Sequence, residues 1–410
     1  MSRTMGDMDK KKQKLMVVSG IDFDRSYAGT QYLLEHLSAS FDVSLYVLTT
    51  PQSRSWYDQL PHTCHVFPFW DTPLIGRRFR LMSKVFRIGI FLRMLFARQL
   101  LITETTYLRE AAWAKKIRGK RMVFTQFCQE LFLPEEYPQD RWPTTQKRFA
   151  RVPDVVIDVD PFRAKIRKEY YGLARMPYVL RNTFPLSQLP SRAPRGRLWE
   201  LAGIPPPPED MPVVVHAGGV GREKPFDRII DTVATLDRPV FLLAFCTATE
   251  EKIQHFRDYA AQKLSPGSFH LSPTVPREQL RASLWEADVG VVDYTFSVEP
   301  TVNQKYCAPT KLYEFMACGL AILGSNNDSL RDVIEREGIG CCATGDDVHD
   351  LAVALKRLLD SDMESRKEKA RLVFAEKYCY EKACSGEVLK MAGELLERSK
   401  KELLFAGGNP

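Results

Sequence analysis

Strand-length apolar runs alternate with helical patterns along almost the whole 410-residue chain. Runs of nearly continuous Val, Ile and Leu are buried on both faces, and a parallel sheet with helices on either side buries strands in that way. In the first half, strands are expected at 14–20, 43–49, 100–103, 121–125, 155–159 and 178–181. In the second half they are expected at 213–217, 240–245, 268–271, 289–292 and 321–324, with helices over 226–236, 250–263, 277–285, 311–318 and 348–359. A charged helical tail runs from 364 to 404. Between the two series the chain reads PLSQLPSRAPRGRLWELAGIPPPPEDMP, and Pro205 to Pro208 fit neither a helix interior nor a central strand. The fold class is therefore α/β, with two Rossmann-like domains at 1–185 and 213–380 joined by a linker at 186–212. A last helix is expected over 381–410. Two domains also suit the length, since one core seldom grows so large. Ligands of such sheets bind beyond the carboxyl ends of the strands, so the site is expected in the cleft between the domains.

A net charge of +7 favours anionic partners: phosphates, nucleic acid or an anionic membrane. The nine Cys show no metal-ligand spacing and read as free thiols of a reducing compartment, which points to a cytoplasmic protein. The N-terminus is Lys-rich without an apolar core, and no run of 18 apolar residues exists, so neither a signal peptide nor a membrane span is expected. Residues 76–101 hold seven Arg or Lys among large apolar residues, with Phe79, Met82, Phe86 and Ile90 on one helical stripe. The segment reads as an ordinary domain helix with a solvated basic face, or as a peripheral membrane contact; the first reading is preferred. Basic and aromatic residues do not interleave as in a nucleic-acid platform, so no nucleic-acid partner is expected.

The most informative stretch is 308–325, APTKLYEFMACGLAILGS. Pro309 starts a helix, Gly319 ends it, and a buried strand follows. Lys311, Glu314 and Cys318 share a helical face. Helix N-termini bind anions, and a carboxylate one turn in can accept bonds from the two vicinal hydroxyls of a ribose. A capped helix with a dipole-stabilising Glu accounts for the same residues.

The pattern Pro309, Lys311, Glu314, Met316, Ala317, Gly319 resembles the nucleotide-sugar signature of glycosyltransferase family 4 in the GT-B fold. The resemblance implies that Glu314 binds the donor ribose. Many members carry a second Glu eight residues upstream, where this chain has Tyr306, with Glu299, Asn303, Gln304 and Lys305 nearby. The family's Gly-Arg…Lys segment, which holds the donor diphosphate, corresponds to Gly218-Gly219-Val220-Gly221-Arg222-Glu223-Lys224 at compressed spacing. Glycines admit a phosphate close to the backbone, and the two cations neutralise it. Gly29 and Thr30, in the first β–α turn, match the loop that faces the diphosphate. In 124–130, FTQFCQE, where members often carry His or an acidic residue, this chain offers Gln126, Gln129 and Glu130. Asn182, at the Arg-Asn before the linker, reads as closing a strand rather than binding, and His216 and His270 read as structural.

The resemblance thus implies a retaining, metal-independent transfer from a UDP-, GDP- or dTDP-linked sugar to a glycan, a lipid-linked sugar or a small molecule, with no cofactor and no metal. Arg222, Lys224 and Glu130 are the candidate catalytic residues. Gly29, Thr30, Gly219, Gly221, Asn303, Tyr306, Thr310, Lys311, Leu312 and Glu314 are the candidate donor-binding residues. A nicotinamide reading fails because Lys224 stands where its fingerprint needs Gly or Ala, and the strand ending at Cys246-Thr247 supplies no acidic residue. A non-hydrolysing sugar-nucleotide epimerase and a non-catalytic partner on a degenerate transferase fold are the alternatives.

Overall fold

A computed structural model describes residues 12–19, 28–49, 64–70, 76–220, 226–295 and 300–406. The chain divides into two compact units, Met1–Leu180 with Cys384–Pro410, and Arg181–Ala383.

The first unit is a seven-stranded parallel sheet: β1 (Gln13–Ser19), β2 (Phe41–Thr49), β3 (Cys64–Trp70), β4 (Gln99–Thr103), β5 (Val123–Cys128), β6 (Val155–Asp158) and β7 (Tyr178–Val179), in the order β3-β2-β1-β4-β5-β6-β7. Helices α1 (Ala28–Ser40), α2 (Gly76–Met94), α3 (Leu108–Arg118), α4 (Arg141–Phe149) and α5 (Pro161–Tyr171) connect the strands. β3 escapes sequence reading because Pro68 interrupts it; proline is tolerated there because β3 is the sheet edge. β5 starts two residues later than expected because Gly119–Arg121 forms a 3-10 turn ahead of it.

The second unit has six parallel strands: β8 (Val213–Gly219), β9 (Phe241–Thr247), β10 (Phe269–Pro273), β11 (Val289–Val292), β12 (Ala321–Gly324) and β13 (Gly340–Cys342), ordered β10-β9-β8-β11-β12-β13. β13 is three residues long at an edge, too short to stand out in sequence. The segment read as a linker is folded onto this unit. It forms α6 (Arg197–Ala202), whose Leu198 and Trp199 are buried and whose Gly196 and Leu198 N–H groups donate to Glu286 at 2.7 and 3.0 Å. Further helices are α7 (Phe226–Ala234), α8 (Glu250–Lys263), α9 (Arg277–Ser283), α10 (Val302–Lys305), α11 (Thr310–Cys318), α12 (Asp328–Ile334) and α13 (Val348–Leu359).

The charged tail is not one helix. It divides into α14 (Met363–Val373), a π turn at Phe374–Tyr378, α15 (Tyr380–Ala383) and α16 (Ser385–Ala406). The break is fixed by Thr183 Oγ1 donating to the Tyr378 carbonyl at 2.6 Å and Tyr380 N donating to the Phe184 carbonyl at 2.9 Å. α16 belongs to the first unit, where Ser385 Oγ lies 3.2 Å from His36 Nε2 and Val388, Met391 and Leu395 are buried.

One close contact seats α11 on the second sheet. A Cβ on Gly290 of β11 would stand 2.5 Å from Phe315 Cδ2, so the helix lies where only a glycine leaves room. At its other end Gly319 adopts φ +75°, and Leu320 N donates back to the Phe315 carbonyl at 3.0 Å, which stops the helix and turns the chain into β12. Gly290→Ala is expected to destabilise the second unit by about 1–3 kcal/mol through overpacking. A thermal melt checks this: the midpoint falls by several degrees and partly recovers in Gly290→Ala/Phe315→Leu.

Candidate active site

In the second unit, strand order reverses between β8 and β11, so a crevice opens at the carboxyl ends of these two strands. β8 ends in Gly218-Gly219, with Gly218 at φ +133°, a conformation that favours glycine. Gly221, Arg222 and Lys224 lie outside the described residues.

On the other side, the end of β11 is linked through β12 to α10. Tyr294 N donates to Ser325 Oγ at 2.7 Å, Ser325 Oγ to Asn327 Oδ1 at 2.6 Å, and Asn327 Nδ2 to the Gln304 carbonyl at 2.9 Å. α10 is closed by a reciprocal Thr301–Gln304 cap; it carries Asn303 and is followed directly by Tyr306. Both side chains are half-buried. The Lys311 ammonium stands 5.0 Å from the Tyr294 ring centroid, so the first turn of α11 lies over the end of β11. Within α11 the half-buried positions are Thr310, Lys311 and Glu314, while Leu312 is buried and can reach a ligand only through its backbone. Asn182 Nδ2 donates to the Ala308 carbonyl at 2.9 Å, which fixes the approach to α11.

Glu314 Oε1 accepts from Arg277 Nε, from Arg281 Nε at 2.8 Å and from Arg281 Nη2 at 2.7 Å. Arg281 is itself buried, its guanidinium 4.0 Å from the Phe184 ring centroid. Charge-assisted bonds from two guanidinium groups hold the carboxylate in one rotamer. A fixed carboxylate of this kind is suited to vicinal hydroxyls. Sequence reading placed 277–285 on a helix but missed the clamp; the available signal was an arginine pair at i, i+4.

In the first unit the reversal lies between β1 and β4. Thr103 Oγ1 donates to Ser19 Oγ at 2.8 Å across these strand ends. Gly29 and Thr30 sit buried in the first turn of α1, and Gln129 Nε2 donates to Thr30 Oγ1 at 2.5 Å, so two of the residues singled out in the sequence meet. Gln129 and Glu130 are held from α5: Arg163 Nη1 donates to the Gln129 carbonyl at 2.7 Å and Arg167 Nη2 to the Glu130 carbonyl at 2.8 Å. Arg167 is locked by a 2.6 Å buried ion pair to Asp158. The Glu130 carboxylate is 41% exposed and 3.4 Å from Arg163 Nη1, open to an incoming group. Gln126, by contrast, is inside β5 and buried, donating to Gln146 Oε1 at 2.7 Å; the strand runs to Cys128, further than expected, and takes Gln126 out of reach.

Glu104, just beyond β4, was not legible as a site residue. Its backbone adopts φ +59°, and a non-glycine residue held there stores about 1–3 kcal/mol of strain. Its buried carboxyl accepts from Gln129 N at 2.7 Å. Burial, reinforced by the charge of Glu130, pushes its pKa up to about 8. The folded value lies above the ordinary carboxylate value of 4.5, so this group favours folding most below pH 4.5 and loses that contribution as pH rises toward 8. Glu104→Gln is expected to flatten the fall of the thermal midpoint between pH 5 and about 8, measured by melts across that range.

Residues 199–373 match the family described as Glycosyl transferases group 1. No curated protein matches the chain. Among solved structures, Anabaena HepE in complex with UDP-glucose superposes with a TM-score of 0.68 at 12% identity, over 94% of this chain and 99% of that one. The sucrose-phosphate synthase of Thermosynechococcus elongatus gives 0.68 at 16% identity, over 97% and 100%. A Listeria monocytogenes protein described as a putative UDP-N-acetylglucosamine 2-epimerase gives 0.60 at 13% identity, over 95% and 97%. These likenesses establish the two-domain GT-B fold, and residues 199–373, less than half of the chain, match the model of the glycosyl transferases group 1 family, which supports a glycosyltransferase.

Proposed function

We propose that the enzyme transfers a sugar from a nucleoside diphosphate sugar to an acceptor hydroxyl, with retention and without a metal. The observation that carries this reading is the clamped, half-buried Glu314 on a helix whose first turn lies over the switch point of the second sheet. Glu314 binds the ribose hydroxyls. The backbone of Thr310, Lys311 and Leu312 and the glycines at 218, 219 and 221 approach the diphosphate, as do Asn303 and Tyr306 from the other side. The UDP-glucose bound to HepE supports a UDP-linked donor as the first to test.

In the reaction the C1–O bond to the diphosphate breaks, and the departing nucleoside diphosphate keeps the electron pair. Arg222 and Lys224 neutralise that charge, the largest catalytic contribution in such a site. The acceptor oxygen forms the new bond to C1 and gives up its proton. In the first unit Gly29 and Thr30 line the substrate end of the sheet, and Glu130 is the candidate base. The acceptor is a glycan, a lipid-linked sugar or a small molecule.

Incubation with labelled UDP-, GDP- and dTDP-sugars tests the reading. Slow release of free sugar and nucleoside diphosphate is expected; isomerised donor would replace the transferase with an epimerase, and no binding would leave a degenerate scaffold. Glu314→Ala is expected to weaken donor binding about 10- to 100-fold in calorimetry, corresponding to about 1.5–3 kcal/mol for hydrogen bonds to a charged group. Unchanged affinity would remove Glu314 from the site. Arg222→Ala/Lys224→Ala is expected to lower kcat for donor hydrolysis more than it raises KM, because these cations act on charge that develops in the transition state.

A further inference from the structure

Charge is distributed very unevenly along this chain. Residues 76–121 contain thirteen Lys and Arg against two Glu, a surplus of eleven where the whole chain carries +7. α2 and α3, which lie in this stretch, pack against each other: Arg87 Nη1 bonds Glu110 at 2.8 Å, and the Phe86 and Tyr107 rings meet at 6.3 Å.

Part of the described solvent face of these helices is apolar. Val85, Ile88 and Leu92 on α2 are 62%, 60% and 51% exposed, and Phe96, in the turn that follows, is 83% exposed. Their spacing of three, four and four residues aligns them as one stripe. The core-facing stripe is a different one, with Ile90 and Met94 buried. On α3, Trp113 and Ile117 are also exposed, one turn apart, with the Lys116 ammonium 5.0 Å from the Trp113 ring centroid. An isolated exposed apolar residue is ordinary, whereas an aligned row on neighbouring helices marks a contact surface.

Beside Phe96, at the edge where β1 and β4 begin, lies a cavity of about 550 Å3. Lys12, Lys14, Arg93 and Arg98 line it together with Tyr46 and Phe96. Lys120 and Arg121, exposed in the turn after α3, precede β5 at the same edge of the sheet. Apolar side chains flanked by long cationic ones suit a lipid-water boundary, where the apolar groups enter the acyl region and the cations meet phosphates. A protein partner matched to the stripe alone would leave these cations unanswered. No described helix is long and apolar enough to cross a membrane, which suits a surface contact.

We propose that this face of the first unit docks the enzyme on an anionic lipid bilayer, with Val85, Ile88, Leu92 and Phe96 entering the interface and the cation-lined cavity receiving anionic headgroups. The proposal is independent of the transfer reaction.

The test is flotation of the full chain with vesicles of phosphatidylcholine alone or mixed with phosphatidylglycerol. Binding to the mixed vesicles is expected to exceed binding to the neutral ones by about tenfold or more, given the attraction of several cations to an anionic surface. Raising salt from about 0.1 to about 1 M shortens the screening length from roughly 10 to 3 Å and should release most of the protein. Leu92→Asp/Phe96→Asp and Arg93→Glu/Arg98→Glu are each expected to lose at least about tenfold in binding, while keeping the thermal midpoint and the calorimetric affinity for a nucleotide sugar. Equal binding to both vesicles, no binding to either, or variants that float like the parent would overturn the proposal. So would concentration-dependent dimers, seen by sedimentation velocity and abolished by Leu92→Asp/Phe96→Asp, which would make the stripe a contact between copies. Donor affinity is measured separately, so a failure here and a failure of the transferase reading are told apart.

Discussion

The second unit depends on the contact between Gly290 and Phe315. Parallel strands are covered by helices whose distance from the sheet is set by the side chains between them. Here the strand contributes none, and a buried phenyl ring takes the space. The helix is thereby drawn onto the sheet at one point and stopped at Gly319. Its half-buried residues, Thr310, Lys311 and Glu314, then fall beside the end of β11. The two arginines of α9 finish the arrangement by fixing the Glu314 carboxylate. Packing places this carboxylate and electrostatics orients it.

Much of this was legible in the sequence. The alternation of apolar runs and helical patterns gave eleven of the thirteen strands among the described residues, because strands buried on both faces leave an uninterrupted hydrophobic signal. The two that escaped are edge strands, one carrying a proline and one only three residues long. The helix of Glu314 was legible from Pro309 and Gly319, whose backbone preferences are local. The arginine clamp was not, since it joins side chains more than thirty positions apart. Nor was Glu104, whose significance lies in a backbone angle and in burial, and neither leaves a mark on residue type. The proline run misled in the opposite direction: four prolines exclude regular structure but do not exclude packing, and the segment around them is folded onto the second unit.

The first unit handles charge in two ways. At the carboxyl edge of its sheet, Arg163 and Arg167 are buried and spent on carbonyls and carboxylates, so that Gln129 and Glu130 are held in place. Removing one partner of the Asp158–Arg167 pair would leave the other charge buried and alone, a loss of about 3–5 kcal/mol in comparable cases. At the opposite edge the cations line an open cavity. One end of the sheet uses its charges internally and the other presents them outward, and a net charge taken from composition cannot distinguish the two.

The π turn at Phe374–Tyr378 and the extended Cys379 precede the point at which the chain leaves the second unit, and α16 then completes the first. The first unit is therefore discontinuous, with about two hundred residues of the other unit inserted before its last helix. On a ribosome moving at roughly 5–20 residues per second, its sheet is made first but waits on the order of ten to forty seconds for α16. During that interval the surface that will receive Val388, Met391 and Leu395 is open. The second unit, whose segment is continuous, can finish folding first, so the order of synthesis and the order of completion are reversed in this chain.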